Sequence, residues 1–190
     1  TLQPQLAATV RCLLLLAGQR FRQLLRAQRH DYDTAGRVLK LADPKGNRSH
    51  PVDHLLPVSD AVAAEIDNLL QTNTAGPYIF STTLGLKPIH HTNLSGSIAS
   101  IATASCPDGD RYRPGDIRRS VETRLQGLGV SRDERAQLLS HGRTSGVQGK
   151  HYERYDYLEE KRAVLSQWEK HLSRVVKGRP ASKPRTTAAE

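Results

Sequence analysis

Apolar positions along the chain follow a helical spacing in most segments and switch to paired clusters around a turn signal in one. Residues 5 to 17 are apolar and rich in Leu and Ala, which predicts a buried helix, and Gly18 interrupts it just before Arg20. A second helix is expected through Leu24 and Leu25 to about Gln28, with Arg20, Arg22, Arg26 and Arg29 leaving much of its surface basic. From Asp31 to Val58 the pattern changes. Val38, Leu39 and Leu41 precede Asp43-Pro44-Lys45-Gly46-Asn47, and Val52, Leu55, Leu56 and Val58 follow it, which reads as strand, turn and strand. Pro44 suits the first corner of the turn and Gly46 tolerates positive φ, so Lys45 is expected at the hairpin tip.

The remainder reads as mainly helical. Ser59 is an N-cap for a helix through Val62, Ile66, Leu69 and Leu70, followed by a short extended piece from Pro77 to Phe80 and a weak helix from about Asn93 to Ala104. A polar loop, Cys106 to Pro114, is expected to be exposed. Residues 115 to 128 form an amphipathic helix with Ile117, Val121 and Leu125 on one face and Arg118, Arg119 and Arg124 around it. Ser131 and Glu134 make a capping box for a helix carrying Leu138 and Leu139, expected to end near His141-Gly142. The last element, Leu158 to Val176, carries an apolar stripe through Leu158, Leu165, Trp168, Leu172 and Val175 that needs a partner surface, either its own core or a neighbouring subunit. Residues 177–190 hold no core-forming run and are expected to be a disordered basic tail. The fold class is therefore α+β, mainly α-helical, with a small antiparallel β-sheet near residues 31–58.

At 190 residues the chain can bury one substantial core, which suggests a single domain over residues 1–176. No apolar run approaches bilayer length, and Cys12-Leu13-Leu14-Leu15-Leu16 continues into polar sequence without a cleavage-like site, so a membrane is not an expected partner. Two cysteines, Cys12 and Cys106, offer neither a disulfide framework nor a metal cluster, and a cytoplasmic setting is the simplest. His50 and His54, and the adjacent His90 and His91, lack the cysteines or carboxylates that would complete a zinc site; His50 or His54 is expected instead near a phosphate at the hairpin. A formal charge of +9 makes nucleic acid the leading partner.

Four motifs belong together in order: Ala17-Gly18-Gln19-Arg20 after an apolar helix, Lys45 on a hairpin, Asp116-Ile117-Arg118-Arg119-Ser120 opening a helix, and Leu138-Leu139-Ser140-His141 followed by Lys150-His151-Tyr152. In this order they resemble the tyrosine recombinases, the phage-integrase-like site-specific DNA recombinases, over about Thr1 to Val176. The resemblance implies the catalytic domain of a longer recombinase without its N-terminal DNA-binding domain. It also implies double-stranded DNA as partner, self-association to a tetramer on DNA, and no cofactor. It assigns Arg20 and Arg118 as the two catalytic arginines, Lys45 as the hairpin lysine, His141 as the histidine before the nucleophile, and Tyr152 as the nucleophile. Tyr155 and Tyr157 lie close by as rivals, and Arg119 is the neighbour of the second arginine.

The chemistry accounts for such a set. A phosphodiester attacked by a phenol gains negative charge on its non-bridging oxygens, which two guanidiniums can grip with charge-assisted hydrogen bonds. A lysine can protonate the leaving 5′ oxygen, and the covalent 3′-phosphotyrosine keeps the ester's free energy for religation without ATP or metal. One departure stands out: the family commonly has His three positions before its second arginine, where this chain has Gly115. Two further readings remain open at this stage, a non-catalytic DNA-binding module of the same fold and a DNA-relaxing enzyme like the type IB topoisomerases.

Overall fold

The computed structural model describes residues 2–43, 52–109, 112–140 and 156–178. Lys45, His50, His141, Tyr152, Tyr155 and residues 179–190 lie outside that set.

Helix α1 (Pro4–Leu15) starts on a proline, whose missing N–H costs nothing in a first turn. It ends in a Schellman turn: Ala17 and Gly18 both take positive φ (56° and 63°), with Gly18 N bonding Leu13 O at 2.8 Å and Ala17 N bonding Leu14 O at 3.1 Å. The second helix is shorter than expected, α2 spanning Phe21–Leu24. Tertiary pairing stops it. Gln28 bridges Tyr78, Ile79 N donates to Ala27 O (3.1 Å) and Arg29 N donates to Pro77 O (2.8 Å), so residues 27 to 29 are drawn out to meet the Pro77–Phe80 segment.

The antiparallel sheet has strand order β1 (Tyr32–Asp33), β2 (Val38–Asp43), β3 (Val52–Pro57). Leu39 faces Leu56 and Leu41 faces His54 across β2 and β3. The two-residue period of a strand then sets what is inside: Leu39, Leu41 and Asp43 are buried on one face of β2. His54 is fully buried and shares a 3.0 Å hydrogen bond with Leu138 O, so the expectation that it approaches a phosphate at the hairpin is corrected. Its place opposite Leu41 commits it to the core.

Helix α3 (Asp60–Thr72) is capped by Ser59, whose Oγ accepts from Val62 N, and buries Val62, Ala63, Ile66 and Leu69. Helices α4 (His91–Ser105) and α5 (Pro114–Gly127) follow, α5 burying Ile117, Val121 and Leu125. The Ser131 and Glu134 capping box opens α6 (Arg132–Leu138), with mutual bonds of 3.2 and 2.9 Å. That helix stops at Leu138, short of the expected His141-Gly142, and Ser140 is already left-handed at φ 51°. Side chains from elsewhere take the carbonyls of Leu138 and Leu139, as described below. Helix α7 (Leu158–Val176) lays Val164, Leu165 and Trp168 on the chain's own core, where Trp168 Nε1 donates to Leu14 O at 2.7 Å. The middle of the tryptophan stripe thus packs on the chain's own core, whereas Val175 at its end is exposed. Among the described residues no helix is long and apolar enough to cross a membrane.

Candidate active site

Arg20 is the residue that precedes α2, with non-helical backbone (φ −59°, ψ 103°) and a carbonyl that accepts from Gln23 N and Leu24 N. The Schellman turn behind it and the α2 turn ahead of it fix where its side chain starts. Its Nη1 donates to Asp43 Oδ2 at 2.7 Å and its Nη2 donates to Ser140 O at 3.2 Å. The pair is mostly shielded from water, with 23% of the arginine and 10% of the aspartate side chain exposed.

Arg118 comes from the second turn of α5. Its Nη1 donates to Gly18 O at 3.2 Å and its Nη2 to Leu139 O. Gly18 permits this approach in two ways. Its positive φ suits glycine, and a β-carbon there would meet the Arg118 Cα at 3.0 Å. The second arginine is therefore seated on the turn that ends just before the first.

Asp43 ties the set together. Besides Arg20, its Oδ2 accepts from Ser140 Oγ (2.8 Å), and its Oδ1 accepts from Gln23 Nε2 (2.8 Å). Gln19 completes the frame by donating to Leu16 O (3.0 Å) and Leu138 O (3.1 Å), so the end of α6 is held to the end of α1.

Arg20 and Arg118 both line one cleft of about 370 Å³, together with Asp43, Phe21 and Gly115. Burial, and then the neighbouring charge of Arg20, push the Arg118 guanidinium down to about 10, with Glu122 and Asp43 pulling the other way. It stays charged at neutral pH. Two poorly hydrated cations facing one opening form a receptor for an oxyanion. Arg22 borders this cleft and two adjoining hollows; with Arg26 it lines one in which Lys40 pairs with Asp31 and another beside His90 and His91, so these two arginines carry positive charge away from the cleft.

Of the five site residues expected from the sequence, Arg20 and Arg118 are brought together; Lys45, His141 and Tyr152 lie outside the described residues. Arg119 points elsewhere, its exposed guanidinium bonded to Asp116 at 2.5 Å. Tyr157, a rival of Tyr152, is left-handed at φ 54° and immediately precedes α7, where its carbonyl accepts from Lys161 N at 2.9 Å. Asp43, Gln23 and Ser140 were not anticipated. A signal existed for Asp43, an acidic residue at the next inward position after Leu39 and Leu41.

No protein-family model matches the sequence, and no curated protein matches it. Solved structures do. The chain is similar to XerA recombinase over 95% of its length, with a TM-score of 0.58 and 13% identity, and spans 58% of that chain. It is similar to the Tn1549 transposon integrase in complex with circular intermediate DNA (TM-score 0.53, 15% identity, 82% of this chain and 55% of that one). A Tn1549 integrase in complex with transposon right end DNA matches at a TM-score of 0.54 and 14% identity, over 84% of this chain and 57% of that one.

Proposed function

We propose that this chain, which has the fold of tyrosine recombinase catalytic domains, cleaves and rejoins double-stranded DNA through a 3′-phosphotyrosine at Tyr152. The observation that carries the reading is the convergence of Arg20 and Arg118, distant in sequence, on one cleft from which a basic surface extends.

In this reading the scissile phosphate sits against the two guanidiniums. The Tyr152 oxygen attacks phosphorus and passes its proton to solvent water, the bond from phosphorus to the 5′ oxygen breaks, and Lys45 gives that oxygen a proton. His141 hydrogen-bonds the phosphate. The arginines stabilise charge that grows only as the attack proceeds, which lowers the barrier rather than tightening ground-state binding. Reversal with a different 5′ hydroxyl exchanges strands. Residues 1–176 serve as the catalytic unit and 177–190 as a basic tail, and the working state on DNA is a tetramer. Integration or excision of a mobile element is the use that fits, in keeping with the transposon integrase among the neighbours.

Gly115 favours a second reading, a DNA-binding module that has lost turnover, because the cleft carries no side chain where the family commonly places an imidazole. A pool of nicked duplexes, randomised around the nick so that a short 5′ piece diffuses away after cleavage, separates the two. The proposed enzyme leaves a covalent protein–DNA adduct on a denaturing gel, and Tyr152→Phe leaves none. Adduct from Tyr152→Phe would overturn the nucleophile; DNA binding without adduct from the wild-type chain would establish the second reading.

A further inference from the structure

We propose that Asp43 is a positioning residue of the cleft, the carboxylate that sets the orientation of Arg20 and joins the three segments on which the phosphate clamp is built. The inference rests on the reading of the cleft as a DNA-cleaving site, and adds to it a residue that the expected set does not contain.

Strand register puts Asp43 there. It ends β2 on the face that buries Leu39 and Leu41, so its carboxylate points inward where an aliphatic side chain would continue the core. A carboxylate so placed must be compensated, and its donors come from separate parts of the chain: Arg20 and Gln23 from the start of α2, and Ser140 from the segment after α6. Arg20 is held at two corners, by Asp43 on Nη1 and by Ser140 O on Nη2. A guanidinium fixed in this way meets a phosphate with its other N–H groups already aimed, and does not spend free energy on ordering itself during the reaction.

The carboxylate also keeps the charge in balance. Two guanidiniums beside each other repel, and Asp43 offsets one of them while leaving the cleft positive for an incoming phosphate. Both oxygens of Asp43 act as acceptors, Oδ1 toward Gln23 and Oδ2 toward Arg20 and Ser140; an asparagine could keep these partners only by turning the Gln23 amide over, and it would bring no charge to offset Arg20.

The test is Asp43→Asn, together with a swapped pair, Asp43→Asn with Gln23→Glu, which returns a carboxylate to the other end of the same 2.8 Å hydrogen bond. Each is assayed with the randomised nicked-duplex pool for single-turnover adduct formation, for duplex affinity by fluorescence anisotropy, and for Tm. Asp43→Asn is expected to slow adduct formation about a hundredfold, the scale of a misplaced reacting group, with affinity equal to or tighter than wild type. The swap is expected to recover to within about tenfold of wild type. A purely structural role would instead lower Tm and affinity in step with rate. Asp43→Asn cleaving at the wild-type rate, or rate lost only in proportion to affinity or folding, overturns the inference. If Asp43→Asn does not fold, the swap decides: folded but inactive, it overturns the inference too. A wild-type chain that forms no adduct removes the proposed function and this inference together, whereas an active wild type beside an unaffected Asp43→Asn removes the inference alone.

Discussion

Gly18 and Gly115 flank the same guanidinium and could hardly differ more in what they tolerate. Gly18 has left-handed backbone and lies against the Arg118 backbone, so any side chain there carries the cost of that conformation, about 1–2 kcal/mol, as well as a clash with α5. At Gly115 a β-carbon would meet nothing within 4 Å, and the position opens into the cleft that Arg20 and Arg118 share. The absence of a side chain there is not demanded by packing. Gly115→His is therefore expected to fold normally and to place an imidazole beside the proposed phosphate site. Single-turnover cleavage should rise by roughly tenfold, a modest part of the 10²–10⁴ that a positioned acid or base contributes. A rate equal to or below wild type would show that the cleft works without that group.

Among the elements, α7 carries a titrating residue at its packed face. His171 is buried on α7, stacks on Trp168 at 5.5 Å between ring centres, and is held below the ordinary imidazole value of 6.5, chiefly by burial and then by Arg124 of α5 and Arg174 of α7. A depressed folded-state value means that the neutral ring is the one the fold accepts. The stability it contributes is present above the unfolded value near 6.5 and is lost as pH falls through the lower folded one. Trp168 is the chain's only tryptophan and sits in the same contact, so its emission reports the docking of α7. Between about pH 7 and about pH 5 the wild type should lose Tm and shift its emission to the red, and His171→Gln should reduce both changes. Equal pH responses in the two proteins would sink the assignment. The same scale shows what the sequence could and could not disclose. Local signals were sufficient where the cause is local: the Ser59 cap, the Ser131 and Glu134 box, the alternation of β2, the glycine after α1. The length of α2 and the end of α6 were not legible, because one is cut by pairing of Gln28 with Tyr78 and the other by Gln19, His54 and Arg118 reaching the carbonyls of Leu138 and Leu139. The apolar stripe of α7 was visible, but its partner was a matter of three dimensions. In the candidate site, Arg20 and Arg118 carry motif signals, whereas Asp43 acquires its meaning only when α2, β2 and the segment after α6 meet.

At the scale of the whole molecule the formal charge of +9 becomes informative through its placement. A basic chain with dispersed charge would bind polyanions weakly and without direction, but here Arg22 and Arg26 stand next to the two-arginine cleft and line both adjoining hollows. In the proposed reading, a duplex whose scissile phosphate lies in the cleft would pass its flanking phosphates over those arginines. Each phosphate neutralised by a side chain releases condensed counterions, so the logarithm of affinity should fall linearly with the logarithm of salt, by about 0.9 per contact. Arg22→Ala with Arg26→Ala is expected to weaken duplex binding at low salt and to flatten the slope by about 0.9 for each phosphate contact removed, while leaving sequence preference unchanged. Anisotropy titrations on one duplex at several salt concentrations measure both quantities. A double variant that loses affinity with its slope intact would place those arginines away from the phosphates, and the direction of the bound duplex across the cleft would then have to be reassigned to another face.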